Sequence, residues 1–327
     1  LEWPCQPLRR GRYLLNRVFV GRASPMGFWD IRTSLPVQCE IRVYPNLLLE
    51  RKNLAALFLN RGALGLHAQR QVGKGRDFEK LREYSPGDSY DEIHWKATAR
   101  RGHPITKVYQ IERTQEIYVL VDTSRLIGRV LNEGSSASPD VLLERFITAS
   151  LVLGMAAEQQ GDLFGLAAFS DKVETFIRAR NGKNHYGICR DALYAIQPRL
   201  VSPDFEELAT FIKLRLRRRA LLIVLTSLED PVLAESFARN IGLLAGQHLV
   251  MVNMIKPPAA EPLFTNPNVE TSDDLYRELG AHLRWNKLRE LEKVLQRRGV
   301  NFTLMDNERF SVDLVSQYLR VKQRQLL

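Results

Sequence analysis

Hydrophobic and polar positions follow two different rhythms along this chain. Over the first fifty residues the period is two. In "VQCEIRV", Val37, Cys39, Ile41 and Val43 alternate with Gln38, Glu40 and Arg42, as in a half-buried strand, and Pro45 closes the run. "RGRYLLNRVFVG" reads as a weaker strand ended by Gly21, and "SPMG" at 24–27 is turn chemistry. Residues 1–66 are therefore expected to form a small antiparallel β region. From about residue 115 the rhythm changes. "EIYVLVD" is apolar without alternation, as in a strand covered on both faces, and "LFGLAAFS", "VETFIRA", "ALLIVLTS", "HLVMVNMI" and "NFTLMD" read as further strands. Between them lie helical stretches at 139–162, about 185–196, 203–219, 231–246, 273–298 and from about 311. Asp204 is placed to cap the third of these, its arginines suit the negative helix end, and Gly246 stops the fourth. Leu275, Leu279, Leu283, Leu288, Leu291 and Leu295 form an apolar stripe along the long helix. Strands alternating with helices mean βαβ units with right-handed crossovers. Residues 116–327 are thus predicted to be a doubly wound α/β domain with a mostly parallel sheet.

The segment between, 67–115, carries an unusual stretch, "YSPGDSYDEIHWKATARRG" at 84–102. Pro86-Gly87-Asp88 is strong turn punctuation, and Ser89 with Glu92 has capping-box spacing, so a helix is expected from about Tyr90. Asp91 and Glu92 suit its positive end, Arg100 and Arg101 its negative end, and Gly102 its stop. Two compatible readings follow. The helix bridges two domains with Trp95 as the packing anchor, or Arg82, Asp88 and Arg100 around Trp95 form a recognition surface for a partner chain. An aromatic anchor among arginine and carboxylate is hot-spot composition.

Charge sharpens the partner question. The chain of 327 residues has 47 Lys and Arg against 37 Asp and Glu, a net charge of +10. The tightest clusters are Arg9, Arg10 and Arg12, then Arg215, Arg217, Arg218 and Arg219, without the interleaved aromatics of a nucleic-acid groove. An acidic partner or lipid headgroups fit such a surface better, and no nucleic acid is expected. Cys5, Cys39 and Cys189 match no zinc spacing and argue for buried thiols in a reducing compartment. The longest apolar run, "ALLIVL" at 220–225, is far short of a membrane span. No signal peptide is visible, and the opening on Leu1 in strand-like sequence reads as a piece whose natural start lies upstream. "LNEGSSASPD" at 131–140 is the one flexible-looking loop.

Enzymatic motifs are missing. The Gly73-Lys74-Gly75 stretch is not a P-loop, and there is no HExxH, GxSxG or paired CxxC. His67, His94, His103, His185, His248 and His282 show no ligand spacing. Asp77, Glu79 and Lys80 fall on opposite faces of a strand and cannot make a nuclease triad.

Residues 73–124 resemble the signature of the bacterial family called domain of unknown function 58. The matching positions are Phe78, Leu81, Arg82, Tyr84, Pro86, Gly87, Asp88, Ile93, Trp95, Ala99, Arg100 and Glu112, followed by "YVLVDTS". "LRRGRY" and "VYP" match its upstream β region. The resemblance implies a von Willebrand factor A-type α/β domain preceded by a β region and, further upstream, transmembrane helices, with this chain as the soluble part at the cytoplasmic face of the bacterial inner membrane. It also implies a MoxR-type AAA+ ATPase as partner and no established enzymatic activity. A-type domains hold a divalent cation with Asp-x-Ser-x-Ser, a Thr and an Asp from three loops. This chain offers Asp122 and Ser124 with Leu126 in the third position, then Thr226, Ser227, Glu229 and Asp230, while "RNGKNH" after "VETFIRA" lacks the threonine. Asp122, Ser124 and Asp230 are the candidate Mg²⁺ ligands of a degenerate site, and local capping by Asp122 and Ser124 is the competing role. The chain is thus expected to be a non-enzymatic interaction or scaffold module, with a metal-dependent hydrolase or metal-dependent adhesion-type binder as the alternative.

Overall fold

A computed structural model describes residues 4–5, 7, 9–48, 50, 52–53, 55–56, 72–85, 89–110, 115–129, 141–258, 260–263, 265 and 271–324, without the side chains of 72–80, 92 and 108–110. His67, Pro86, Gly87, Asp88, Glu112 and the 131–140 loop lie outside the described residues. The chain forms two compact units, residues 1–54 with 116–327, and residues 55–115.

The larger unit is built on a six-stranded sheet. Its strands are β5 (Glu116–Asp122), β6 (Leu163–Phe169), β7 (Val173–Arg180), β8 (Leu221–Leu225), β9 (Leu249–Ile255) and β10 (Asn301–Met305). Their order is β10-β9-β8-β5-β6-β7, all parallel except β7, which runs antiparallel to β6. The central pair, β5 and β8, is apolar and buried on both faces, because helices cover both. Against one face lie α4 (Phe205–Arg215), α5 (Pro231–Ala245) and α6 (Ser272–Arg297). There Phe205 and Phe237 meet edge to face at 4.9 Å above Leu120, Leu222 and Val224. Across the sheet, α2 (Leu142–Gln159), α3 (Lys183–Ala195) and α7 (Phe310–Gln323) complete the second layer, with Phe146 of α2 against Phe310 of α7 at 5.4 Å.

Local chemistry explains the helix ends. Asp204 accepts from the amides of Glu206 and Glu207, and Thr271 with Asp274 forms a capping box at the start of α6. The predicted helix over 203–219 is shorter than expected. It stops at Arg215 because Leu216 and Ala220 are both buried as the chain turns into β8, leaving Arg217, Arg218 and Arg219 outside the helix. The leucine stripe of α6 is also only half used. Leu288 and Leu295 are buried, whereas Leu275, Leu279 and Leu283 are exposed. A helix of 26 residues spans roughly 39 Å at 1.5 Å per residue, and it outruns strands of five to seven residues.

Ahead of the sheet, β1 (Gly11–Ala23) and β2 (Asp30–Val43) form an antiparallel ribbon. The expected alternation is met only in part: Val37 and Val43 are half-buried, but Cys39 and Ile41 are exposed, as are Leu14, Phe19, Ile31 and Leu35 along the ribbon. An isolated two-stranded ribbon is marginal in water, so its base needs an anchor. Arg10 supplies it: buried, it pairs with Glu144 at 2.8 Å and donates to the carbonyls of Leu193 and Tyr194 at the end of α3. Tyr44 donates to Asp191 at 3.1 Å and lies under the Arg190 guanidinium. A register shift between Leu15 and Arg17 breaks the ribbon's alternation: Leu15 faces Cys39, but Arg17 faces Pro36.

The smaller unit contains β3 (Val72–Glu83) paired antiparallel with β4 (Ile105–Gln110). Gly73, Lys74 and Gly75 lie within a strand rather than a loop. The helix expected from Tyr90 is split into a single 3₁₀ turn, Tyr90–Glu92, and α1 (Trp95–Arg101). The break comes from strand pairing: buried Ile93 bridges to Thr106, and the amide of His94 donates to Ile105 at 2.7 Å. Ser89 makes no side-chain cap; His94 caps α1 instead by accepting from Ala97 at 3.1 Å. Gly102 ends the helix in the left-handed conformation, φ 73°.

Gly165 in the middle of β6 fixes how closely β5 and β7 approach. A Cβ there would fall 2.5 Å from the Tyr118 ring and 2.9 Å from the amide of Ala179. That ring is fully buried, stacks on Phe176, and its hydroxyl accepts from Ala179. Gly165→Ala is expected to lower unfolding free energy by about 1–3 kcal/mol, the usual range for overpacking, as measured by urea denaturation.

Candidate functional site

Strand order reverses between β5 and β8, so the ends of these neighbours mark the crevice where open α/β sheets ordinarily take ligands. The residues there are Asp122, Thr123 and Ser124 after β5, and Thr226 and Ser227 after β8. All five are buried. Both carboxylate oxygens of Asp122 are engaged. Oδ1 accepts from the Ser124 amide at 2.8 Å, and Oδ2 accepts from the Thr226 hydroxyl at 2.6 Å. Ser124 accepts from the Leu126 amide at 3.4 Å and caps the single turn Arg125–Ile127. Thr123 donates its hydroxyl to the carbonyl of Phe169 at 2.9 Å, tying β5 to β6.

Burial sets the electrostatics. Loss of solvent raises the Asp122 pKa from its ordinary 3.8 to about 6, and the bonds from Thr226 and Ser124 offset only part of this. The remaining acids are bound elsewhere. Glu229 accepts from Ser227 and pairs with Arg129 at 2.8 Å, and Asp230 accepts from Val232 to cap α5.

The structure brings Asp122, Ser124 and Thr226 together but gives the candidate Mg²⁺ ligands local duties. A hard cation needs several oxygen ligands. Here both oxygens of Asp122 already accept hydrogen bonds, Leu126 is apolar and buried, and Asp230 is held at a helix start. Among the described residues no three His, Cys, Asp or Glu side chains gather as ligands. This donor set does not fit a divalent cation.

The loop after "VETFIRA", which lacks the threonine of an A-type site, does not reach the crevice at all. Because β7 runs antiparallel, "RNGKNH" emerges at the opposite edge, where Asn181 donates to Gly161. The loop that returns to the crevice is 196–204. Its Arg199 amide donates to the Thr123 carbonyl at 2.7 Å, Arg125 donates to Val201 and Ser202, and Asp204 donates to Ser170. The short link 170–172 between two strand patterns is the hairpin signal that would have revealed this reversal. The same loop carries Leu200, 95% exposed, beside Arg199, which pairs with Glu174 and Asp171. Neither residue stands out in the sequence. Beside the crevice, α5 and α6 enclose a groove of about 490 Å³, with Leu228, Pro231, Ala234, Leu288 and Leu291 inside and Arg284 and Lys287 at its rim.

In the smaller unit, Trp95 lies on α1 and is 70% exposed. Arg100 is exposed on the same helix, roughly 140° around the axis from Trp95 at five residues' separation. Arg82 lies in β3 opposite Thr106 and donates to the carbonyl of Glu83 at 3.4 Å. Asp88 lies outside the described residues. Elsewhere, burial pushes the Cys189 thiol up to about 12, which leaves it protonated and unreactive at neutral pH.

A six-stranded sheet of this order, with one antiparallel edge strand and helices on both faces, makes the larger unit an α/β domain of von Willebrand factor A type. The sequence matches the family described as "Protein of unknown function DUF58" over residues 80–274, and the chain belongs to that family. No curated protein matches it. Among solved structures, similarity extends to BatB, a conserved hypothetical protein from Bacteroides thetaiotaomicron, at 13% identity and a TM-score of 0.40, covering 64% of this chain and 99% of that one. An aerotolerance-related membrane protein from Bacteroides fragilis is also similar, at 13% identity and a TM-score of 0.38, with 63% and 98% covered. The SpRpn10 VWA domain shares 9% identity at a TM-score of 0.38, with 62% and 95% covered.

Asp122 gives a pH signature. A carboxyl whose folded pKa exceeds its unfolded value adds stability below the unfolded pKa and loses it as pH rises through the folded one. Between pH 3.8 and about 6, therefore, the wild type should lose about 3 kcal/mol through this group. Asp122→Asn can keep both contacts, with its amide donating to Thr226, and should lack that loss. Urea titrations at pH 4 and pH 7 are expected to show the variant gaining on the wild type by about that amount.

Proposed function

We propose that this chain is a non-enzymatic interaction module of a membrane-associated bacterial protein, working with a MoxR-type AAA+ ATPase. The observation that carries the reading is the closed crevice: a single buried carboxylate, both oxygens bonded, stands where a metal or a nucleophile would be needed. Such a site positions loops rather than performing chemistry. The surface around it suits docking, with Leu200 exposed among paired charges and an apolar groove alongside. The membrane context and the ATPase come from the family resemblance. Among the described residues no helix is long and apolar enough to cross a membrane. The exposed Trp95, with Arg82, Asp88 and Arg100, is the second docking element.

Calorimetric titration with Mg²⁺ and Mn²⁺ should give no saturable heat. Saturable heat that Asp122→Asn removes would instead establish the metal-dependent hydrolase or adhesion-type reading. For the partner, Asp88→Ala with Arg100→Ala should leave thermal unfolding within a degree or two of wild type and abolish co-purification with the ATPase. Undiminished co-purification would remove the segment from the interface.

A further inference from the structure

Several exposed arginines gather at the sheet edge away from the crevice. Five parallel strands begin at that edge and the antiparallel β7 ends there, which sets their connections side by side. Arg297 precedes β10, Arg217, Arg218 and Arg219 precede β8, and Arg180 ends β7 opposite Phe164. All five are exposed, and Arg180, Arg217, Arg218 and Arg297 pair with no carboxylate among the described residues. The acids at this edge compensate little. Asp162 is buried and held by Lys322 and Tyr318, and Glu116 at the start of β5 and Glu158 in the last turn of α2 are both half-buried. Strands about 4.8 Å apart place the row within roughly 24 Å. With a Debye length of about 8 Å at physiological salt, neighbouring arginines act as one field.

Two exposed leucines share this end. Leu214 lies in the last turn of α4 at 73% exposure, and Leu243 in the last turn of α5 at 65%. Gln247, just past α5, donates to the carbonyls of Leu216 and Arg217 and holds these helix ends together. Phe211, the aromatic nearest the arginines, lies under the Arg215 guanidinium at 5.4 Å and offers no platform for stacking bases. The entering connections are short, so they form a rim rather than a cleft.

We propose that this edge docks onto the anionic headgroup surface of a phospholipid bilayer. Arginine forks match lipid phosphates, and a lipid surface demands no pocket. Leu214 and Leu243 reach the acyl boundary beneath the headgroups. The inference stands apart from the ATPase partnership, since it involves the opposite end of the sheet.

Sedimentation of the whole chain with vesicles tests it. Binding is expected to vesicles of phosphatidylcholine mixed with phosphatidylglycerol, not to phosphatidylcholine alone, and to fall steeply with salt. Each arginine near such a surface contributes a factor of about five, so R217A/R218A/R297A should weaken binding about a hundredfold. L214S/L243S should weaken it while leaving its salt dependence in place. R284A/K287A, at the groove rim, should bind as wild type does, and circular dichroism confirms that each variant folds. Equal binding to neutral vesicles, or an undiminished triple variant, overturns the proposal. Retention on double-stranded DNA without binding to anionic vesicles overturns it in favour of nucleic acid.

Discussion

The hydrogen bond between Thr226 and Asp122 joins the ends of the two strands at which the sheet reverses its order. Much of the crevice architecture depends on it. Bonds to a charged group contribute roughly 1.5–3 kcal/mol each, and Asp122 accepts two while wholly desolvated. Turning the carboxylate outward would forfeit both and open a polar hole at the centre of the domain. The surrounding chain follows from this closure. Ser124 can cap the Arg125–Ile127 turn because Asp122 holds its amide, and the 196–204 loop lies across the result through the backbone of Thr123 and Arg125. At the place where α/β folds ordinarily receive ligands, these bonds tie the strand ends and loops together.

The two ends of the sheet consequently differ in chemistry. At the crevice end the charges are paired: Glu229 with Arg129, and Arg199 with Glu174. At the other end Arg180, Arg217, Arg218 and Arg297 face water and pair with no carboxylate among the described residues. Paired charges with an apolar residue among them favour a partner of defined shape. Unpaired charges in a row favour a diffuse, salt-sensitive attraction. One domain can therefore present a specific surface and a non-specific one at opposite edges, which is useful to a module that must be both localised and selective.

Much of this fold was legible in the sequence because strands buried on both faces leave an unmistakable record. "EIYVLVD" and "ALLIVL" could be nothing else in a chain that also carries helical periods between them. Capping was partly legible: Asp204 behaves as read, whereas Ser89 does not, because pairing of Ile93 with Thr106 overrides the local helix signal. Periodicity also overstated burial. The stripe on α6 and the alternation in β2 are regular, yet regularity records only that a face is apolar, not that anything covers it. The site was the least legible part. Asp122 and Ser124 were identifiable by type, but their hydrogen bonds depend on Thr226, more than a hundred residues away. The position of the third loop turns on the direction of β7, which is carried only by the short 170–172 link and not by composition. Leu200 and Arg199 carry no motif; only the folded chain sets them beside the crevice.

The register shift in the ribbon has a geometric consequence. Cross-strand partners in an antiparallel pair point to the same side. Before the shift, Tyr13, Leu15, Cys39 and Ile41 share one side; beyond it, Val18, Val20, Leu35 and Ile31 gather on the other. An ordinary hairpin can be shielded by a single layer laid against its greasy side. This one changes sides halfway along, so a flat cover would protect only half its length. A shield for all of these residues would have to cross over the ribbon or lie on both sides of it.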